Sequence, residues 1–212
     1  MIHYKHVIWD YNGTLLNDVD LSVSVMNRML KARNLPLLSL EKYRSVFDFP
    51  VATYYAKLGF DFEAEPFDVL GLEFIQRYDN RRSEMELHPF THEILQHLSD
   101  KGISQSVLSA RNQKQLEEEL EHYSIRKYFT HVSGLTDDYA GGKSENGLKM
   151  TEKINFDKSQ IVLIGDTMHD FETAEMIGID CIIVANGHHS KEKFIKTKSQ
   201  VVTKLCDLMK IF

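Results

Sequence analysis

Short runs of consecutive apolar residues recur along the chain: "VIW" at 7–9, "SVL" at 106–108, "IVLI" at 161–164 and "CIIV" at 181–184. Val and Ile dominate them, and they lack the polar alternation of a half-exposed strand. Such runs predict strands covered on both faces, as in a parallel sheet. Between them the apolar positions fall at helical spacing. "PFTHEILQHLSDKG" predicts a helix that closes on Gly102, and "NQKQLEEELEHYS" a charged amphipathic helix capped by Asn112. Strand and helix alternate, which predicts an α/β fold with a Rossmann-like, doubly wound parallel sheet.

One long interval breaks the alternation. From about Leu15 to Met85 the spacing is helical (Leu21, Val25, Met29, then Leu70, Phe74, Tyr78), with no strand pattern. Pro36, Pro50 and Pro66 divide it into short helices, and "RRSEMELHPF" returns the chain to the sheet. The expected organisation is a catalytic core made of residues 1–14 and 86–212, with an all-helical cap, 15–85, inserted between them. The sequence carries no internal repeat, low-complexity tract or coiled-coil heptad.

Composition narrows the partners. A chain of 212 residues supports one main core. With 31 acidic against 25 basic residues, a net charge of -6 and scattered Lys and Arg, there is no footprint for nucleic acid. No window reaches membrane-spanning length, so no membrane association is expected. Two cysteines, Cys181 and Cys206, and an opening "MIHYKHVIWD" without a leader pattern predict a cytoplasmic protein with no disulfide framework.

Open parallel sheets bind ligands beyond the carboxyl ends of their strands, and the residues found there share one chemistry. After "VIW" stand Asp10, Asn12, Gly13 and Thr14; after "SVL", Ser109 and Ala110; after "IVLI", Gly165, Asp166 and Asp170. Lys143, in "AGGKSE", leads into a predicted helix. These residue types suit phosphoryl transfer. Asp10 can attack phosphorus as a carboxylate nucleophile, giving an aspartyl phosphate that water hydrolyses. Its repulsion by a phosphate dianion calls for a cation, and Mg²⁺ held by Asp10 and Asp166, with Asp170 binding through water or orienting Asp166, answers that need. The Ser109 hydroxyl and neighbouring amides such as that of Ala110 would hold a phosphate oxygen, Lys143 would neutralise charge, and Gly13 would let the backbone approach closely, with Thr14 beside it as a further substrate-binding candidate.

Each feature taken alone has a plainer meaning. Asn12-Gly13 predicts a turn, Asp166 and Asp170 a helix cap and a first-turn acid, Ser109 a helix entry and Lys143 a solvated charge. Their joint placement after buried runs favours a site. The ten histidines show no compact zinc spacing. His188 and His189 are expected to decorate a loop, with His169 and that pair as candidates for proton shuttling. "QKQLEEELE" predicts a solvated helix face.

Together these residues resemble the haloacid dehalogenase superfamily of hydrolases, in its phosphoglycolate-phosphatase-like branch with a helical cap. Asp10 with Gly13, Thr14 and Leu15 matches the first motif, Ser109 the second, Lys143 the third and "IGDTMHD" at 164–170 the fourth. The resemblance implies Mg²⁺, the aspartyl-phosphate route, a metal contact from the Asn12 carbonyl, and a small phosphorylated metabolite such as phosphoglycolate. It also places a substrate-specificity loop at "VFDFPV", 46–51, where Phe47 and Phe49 would close the site. Arg44, Lys57, Arg77 and Arg81 are cap cations available to a leaving group.

Asn12 departs from the pattern, because most phosphatases of this superfamily have at that position an Asp that serves as general acid and base. Two alternatives therefore stand beside the phosphatase. One is a metal-independent haloacid hydrolase; the other is a low-turnover protein that binds a phosphorylated ligand.

Overall fold

A computed structural model of the protein describes residues 4–135 and 142–212. Six parallel strands form one sheet: β1 (His6–Trp9), β4 (Ser104–Asn112), β5 (His131–Leu135), β6 (Ile161–Gly165), β7 (Asp180–Val184) and β8 (Gln200–Val202), in the order β5-β4-β1-β6-β7-β8. The doubly wound α/β architecture expected from the alternation is present. Strand β1 lies between β4, where His6 pairs with Ser104, and β6, where His6 pairs with Ile161. Its apolar run has a direct cause. Val7 and Trp9 belong to one buried cluster and Ile8 to another, so alternate side chains feed cores on opposite faces of the sheet.

Helices α5 (Thr91–Asp100) and α6 (Gln113–His122) contribute Ile94, Leu95, Leu98, Leu116 and Leu120 to the first core. Helices α7 (Lys143–Thr151) and α8 (Met168–Ile177) supply Met150, Ala174 and Ile177 to the second. Asn112 caps α6 by accepting from the Lys114 amide at 3.1 Å. The face of α6 is less solvated than its sequence suggests, because Glu119 is buried on an arginine.

Between β1 and α5 lie four further α-helices, α1 (Val19–Ala32), α2 (Leu40–Val46), α3 (Val51–Lys57) and α4 (Phe67–Asp79). A two-stranded antiparallel ribbon, β2 (Leu16–Asn17) with β3 (Glu86–Leu87), joins their two ends. This ribbon, like β5 and β8, has no apolar run to announce it. β5 and β8 are sheet edges with solvent on one side, and the ribbon is two residues long, so polar residues are tolerated in all of them. Ala140 and Gly141 of "AGGKSE" lie outside the described residues. No helix among the described residues is long and apolar enough to cross a membrane.

Candidate active site

The chain leaves β1 toward β4 and β5 on one side and returns to β6, β7 and β8 on the other, so the segments after β1 and β6 diverge at a topological switch point. Asp10 and Asp166 stand there. The Asp10 amide donates to the Ile164 carbonyl at 2.8 Å, tying the end of β1 to β6. The chain then turns at once: the amides of Leu15 and Leu16 return to the Tyr11 carbonyl at 2.9 Å. Gly13 sits in this turn at φ 77°, where a Cβ would also collide with the Asp166 carboxylate and the His188 ring.

Asp10, Thr14, Lys143, Asp166 and Asp170 are all buried and converge. Thr14 Oγ1 lies 3.0 Å from Asp10 Oδ2 and 3.1 Å from Asp166 Oδ1. Lys143, the first residue of α7, donates to Asp10 Oδ1 and, at 2.6 Å, to Asp170 Oδ1. Asp170 occupies the third position of α8 and also completes its cap. Its Oδ2 accepts from the Thr167 hydroxyl at 2.7 Å, the Thr167 amide at 2.9 Å and the Asp166 amide at 3.2 Å. Asp170 therefore caps α8 through one oxygen, as its plain meaning predicts, and meets Lys143 through the other.

Charge in this cluster is unevenly satisfied. Burial and the neighbouring Asp170 push the Asp10 carboxyl above its usual range, against the pull of Lys143. Burial, Asp10 and Asp170 push Asp166 up further, although the nearby His188 opposes them. Asp170 moves down: burial works against its charge, but Lys143 and the Thr167 bonds outweigh it. Carboxylate oxygens of Asp10, Asp166 and Asp170 lie within 4.8 Å of one another. The Lys143 ammonium pairs with Asp10 and Asp170, Asp166 is met by His188, and oxygen-only donors of this kind suit a hard divalent cation such as Mg²⁺. The donor set fits the ion.

Asn12 is held in a second buried network. Its side-chain amide donates to Asp18 Oδ2 at 3.0 Å and to the Tyr78 hydroxyl oxygen at 2.9 Å. Asp18 also accepts from Tyr78 at 2.6 Å and from the Gly13 amide at 2.8 Å, and lies 3.2 Å from His188 Nε2. His188 Nδ1 is 2.8 Å from the Tyr43 hydroxyl, and the His188 amide donates to Asp166 Oδ2 at 2.5 Å. His188 and His189 lie in the loop after β7, as expected, but both are buried in it rather than decorating its surface. A carboxylate, a backbone bond and a glycine-lined approach draw them inward.

A cavity of about 1060 Å³ opens above Asp10, between the strand ends and helices α1–α4. Asp10, Asn12, Ser109, Ala110, Lys143, Asp166, Asp170, Phe47 and Phe49 line it. Ser109 Oγ accepts from the Arg111 amide at 3.0 Å. Phe49 stacks on His169 with ring centroids 4.6 Å apart. None of the four cap cations is among the lining residues: Arg44 holds the Asn186 and Gly187 carbonyls, Arg77 pairs with Glu73, Arg81 with Ser24 and Glu84, and Lys57 faces Asp48. Arg111, Asp18 and Tyr78 line the cavity instead, and nothing in the local sequence around them marks them for it.

The fold and this arrangement define a hydrolase of the haloacid dehalogenase type. The chain belongs to the haloacid dehalogenase-like hydrolase family, whose model matches residues 7–184. A phosphoglycolate phosphatase from Rhodobacter capsulatus is 24% identical over 186 residues, covering 86% of this chain and 84% of that protein. Two solved structures share the fold. A haloacid dehalogenase-like family protein from Streptococcus pneumoniae superposes with a TM-score of 0.84 at 16% identity, covering 100% of both chains. A putative phosphoglycolate phosphatase from Lactobacillus plantarum superposes at 0.82 with 19% identity, covering 99% of this chain and 100% of that one.

Proposed function

We propose that the protein is a Mg²⁺-dependent phosphatase that hydrolyses phosphate monoesters through an aspartyl phosphate on Asp10. The observation that carries this reading is the Asp10 carboxylate at the base of the cavity, in contact with Lys143 and clustered with Asp166 and Asp170. Asp10, Asp166 and the Asn12 carbonyl would hold Mg²⁺, with Asp170 orienting Asp166; bound there, the ion supplies positive charge that offsets repulsion between Asp10 and the phosphoryl group.

The chain's own groups divide the remaining work. Asp10 supplies the attacking oxygen, and Thr14, bonded to its other oxygen, fixes the carboxylate's orientation. Lys143 holds charge on the nucleophile and on the transferring group, while the Ser109 hydroxyl and nearby backbone amides hold a phosphoryl oxygen. Helices α1–α4 act as a cap over residues 15–85, with the 46–51 segment facing the leaving group. The relationship to a phosphoglycolate phosphatase supports the phosphate-ester chemistry.

Phosphate release from para-nitrophenyl phosphate tests the reading. Release should need Mg²⁺, stop in excess chelator and vanish in Asp10→Asn with the fold intact. Chloride release from a haloacid, without phosphatase activity, would replace it with the metal-independent alternative.

A further inference from the structure

The cavity is far larger than a phosphoryl group joined to a two-carbon acid requires, and its walls have a consistent character. Met26, Phe47, Phe67, Leu72, Phe74 and Ile75 face the space above Asp10. Among the described residues lining it, the cationic side chains are Lys143, Arg111 and His188, the last committed to Asp18 at 3.2 Å and to the Tyr43 hydroxyl. Lys143 is committed to Asp10 and Asp170 at the phosphoryl end. Arg111 is neutralised twice, by Asp79 at 2.7 Å and Glu119 at 2.8 Å, and its guanidinium lies 5.3 Å from the centre of the Tyr78 ring. The exposed Asp68 and Glu172 add negative charge at the rim. A carboxylate on the leaving group would meet apolar walls and like charge, with no uncommitted cation among these residues to receive it.

Around Asn12 every proton donor is already engaged; two further groups line the cavity, the unpartnered Tyr54 hydroxyl, which burial keeps a weak acid, and His169, stacked on Phe49. Asn12 is an amide whose hydrogen bonds go to Asp18 and Tyr78. The Tyr78 hydroxyl donates to Asp18, and both ring nitrogens of His188 are engaged, by Asp18 and by Tyr43. An oxygen that can depart as an anion suits such a site better than an alkoxide, which needs a proton as it leaves.

Resting on the phosphatase reading, we propose that the substrate is the monophosphate ester of an uncharged, apolar, phenol-like alcohol rather than a phosphorylated carboxylic acid. Asp10 forms a bond to phosphorus as the ester P–O bond breaks, and the electron pair leaves with the aryl oxygen, which takes its proton from solvent. Water then attacks the aspartyl phosphate. The bond from phosphorus to Asp10 breaks, its electron pair returns to the carboxylate, and both protons of the water remain on the released dihydrogen phosphate.

Burial and leaving-group acidity are separated by comparing phenyl phosphate with 4-butylphenyl phosphate, since the alkyl chain hardly changes the phenol. Each buried methylene is worth about fourfold in kcat/KM at full burial, so the butyl ester should be favoured at least about tenfold overall. Phosphoglycolate should be slower than either. Leu72 is 52% exposed on α4 and lines the cavity, so Leu72→Asp can be made without emptying a core; it should reduce the butyl preference at least threefold, to about 3 or less if that preference is tenfold. Equal rates for the two aryl esters, or a preference for phosphoglycolate, would overturn the substrate class and leave the phosphatase reading standing. Failure to hydrolyse any of the three with Mg²⁺ present would remove the phosphatase reading and this inference together.

Discussion

The side-chain amide of Asn12 donates to Asp18 Oδ2 at 3.0 Å, so the position at which this chain departs from its relatives' usual acid is one where a second, buried carboxylate already stands. A carboxylate at position 12 would lose that donor and face Asp18 directly. Its proton would be held more tightly, because ionisation would put two negative charges side by side. Asn12→Asp should therefore cost about 1–3 kcal/mol of stability near neutral pH. The loss should grow as pH rises through the raised pKa of the new carboxyl. Below that pKa the group is an acid aimed at the leaving side. It should raise kcat/KM for alkyl phosphates by at least about tenfold, within the roughly 10² to 10⁴ available to general acid catalysis, and leave aryl phosphates little changed. Asn-Gly sequences can deamidate, so intact mass of the peptide must accompany the assay. An unchanged alkyl rate would show that another group already serves as the acid.

The Asp18–His188 pair, buried on both sides, gives stability a defined pH window. Burial works against the charge on Asp18, but His188 and the bonds from His188, Tyr78 and Asn12 outweigh it and lower the carboxyl to about 2. Burial also disfavours His188 as a cation, and Asp18 overrides it, raising the imidazole to about 9. The Asp18 contribution is complete above its unfolded value and is lost as pH falls through about 2; the His188 contribution is complete below its unfolded value and is lost as pH rises through about 9. The contribution of this pair to thermal stability should be greatest between about 4 and 6.5, the unfolded values of the two groups. Loss toward pH 9 should be on the order of 3 kcal/mol. In His188→Gln the alkaline fall should become shallower by this amount, leaving the part that comes from the raised Asp10 and Asp166 carboxyls. An equally steep alkaline fall in that variant would assign it to other groups.

How far the sequence reaches is clear from particular residues. Asp10, Ser109 and Asp166 follow buried runs whose two-faced burial is written in consecutive apolar residues, so strand and site were legible together. Asp18 was not, because it stands immediately before α1, where an acid is ordinarily a cap, and only the fold shows that it makes no capping bond and turns toward Asn12 and His188. His188 lies 170 residues from Asp18 in the chain, and no local spacing links them. Arg111 follows Ser109 closely, but its neutralisation by Asp79 and Glu119 depends on the fold bringing the end of α4 and the side of α6 to the end of β4. Edge strands β5 and β8 escaped notice because an edge tolerates polar residues.

Binding of Mg²⁺ should be visible without catalysis. Asp10, Asp166 and Asp170 cluster three carboxylates, two of them paired with Lys143, and an ion bound there stabilises the folded state by mass action. Titration with Mg²⁺ should raise the unfolding temperature of the wild type, and excess chelator should reverse the rise and suppress phosphatase activity. Asp166→Ala should lose both responses. Asp170→Ala should lose activity through a further route, since it removes the acceptor of the Asp166 amide and a partner of Lys143. A wild-type unfolding temperature indifferent to Mg²⁺ up to millimolar concentrations would count against the metal.

The 46–51 segment offers the sharpest contrast between neighbouring residues. Phe49 lines the cavity and stacks on His169 at 4.6 Å, whereas Asp48 is 40% exposed and faces Lys57 and Lys193 at 3.8 and 3.7 Å. Ion pairs as exposed as these contribute about 0–1 kcal/mol. An aromatic wall of a binding cavity, by contrast, changes the fit of whatever fills it. Phe49→Ala should therefore alter the relative kcat/KM of leaving groups of different size several-fold while the rate of phosphate release from the smallest ester changes less. Asp48→Ala should leave the whole ranking in place. Measured over a series from methyl to naphthyl phosphate, an unchanged ranking in Phe49→Ala would mean that the segment does not touch the leaving group, and a changed ranking in Asp48→Ala would mean that charge at the rim, rather than the aromatic wall, sets the preference.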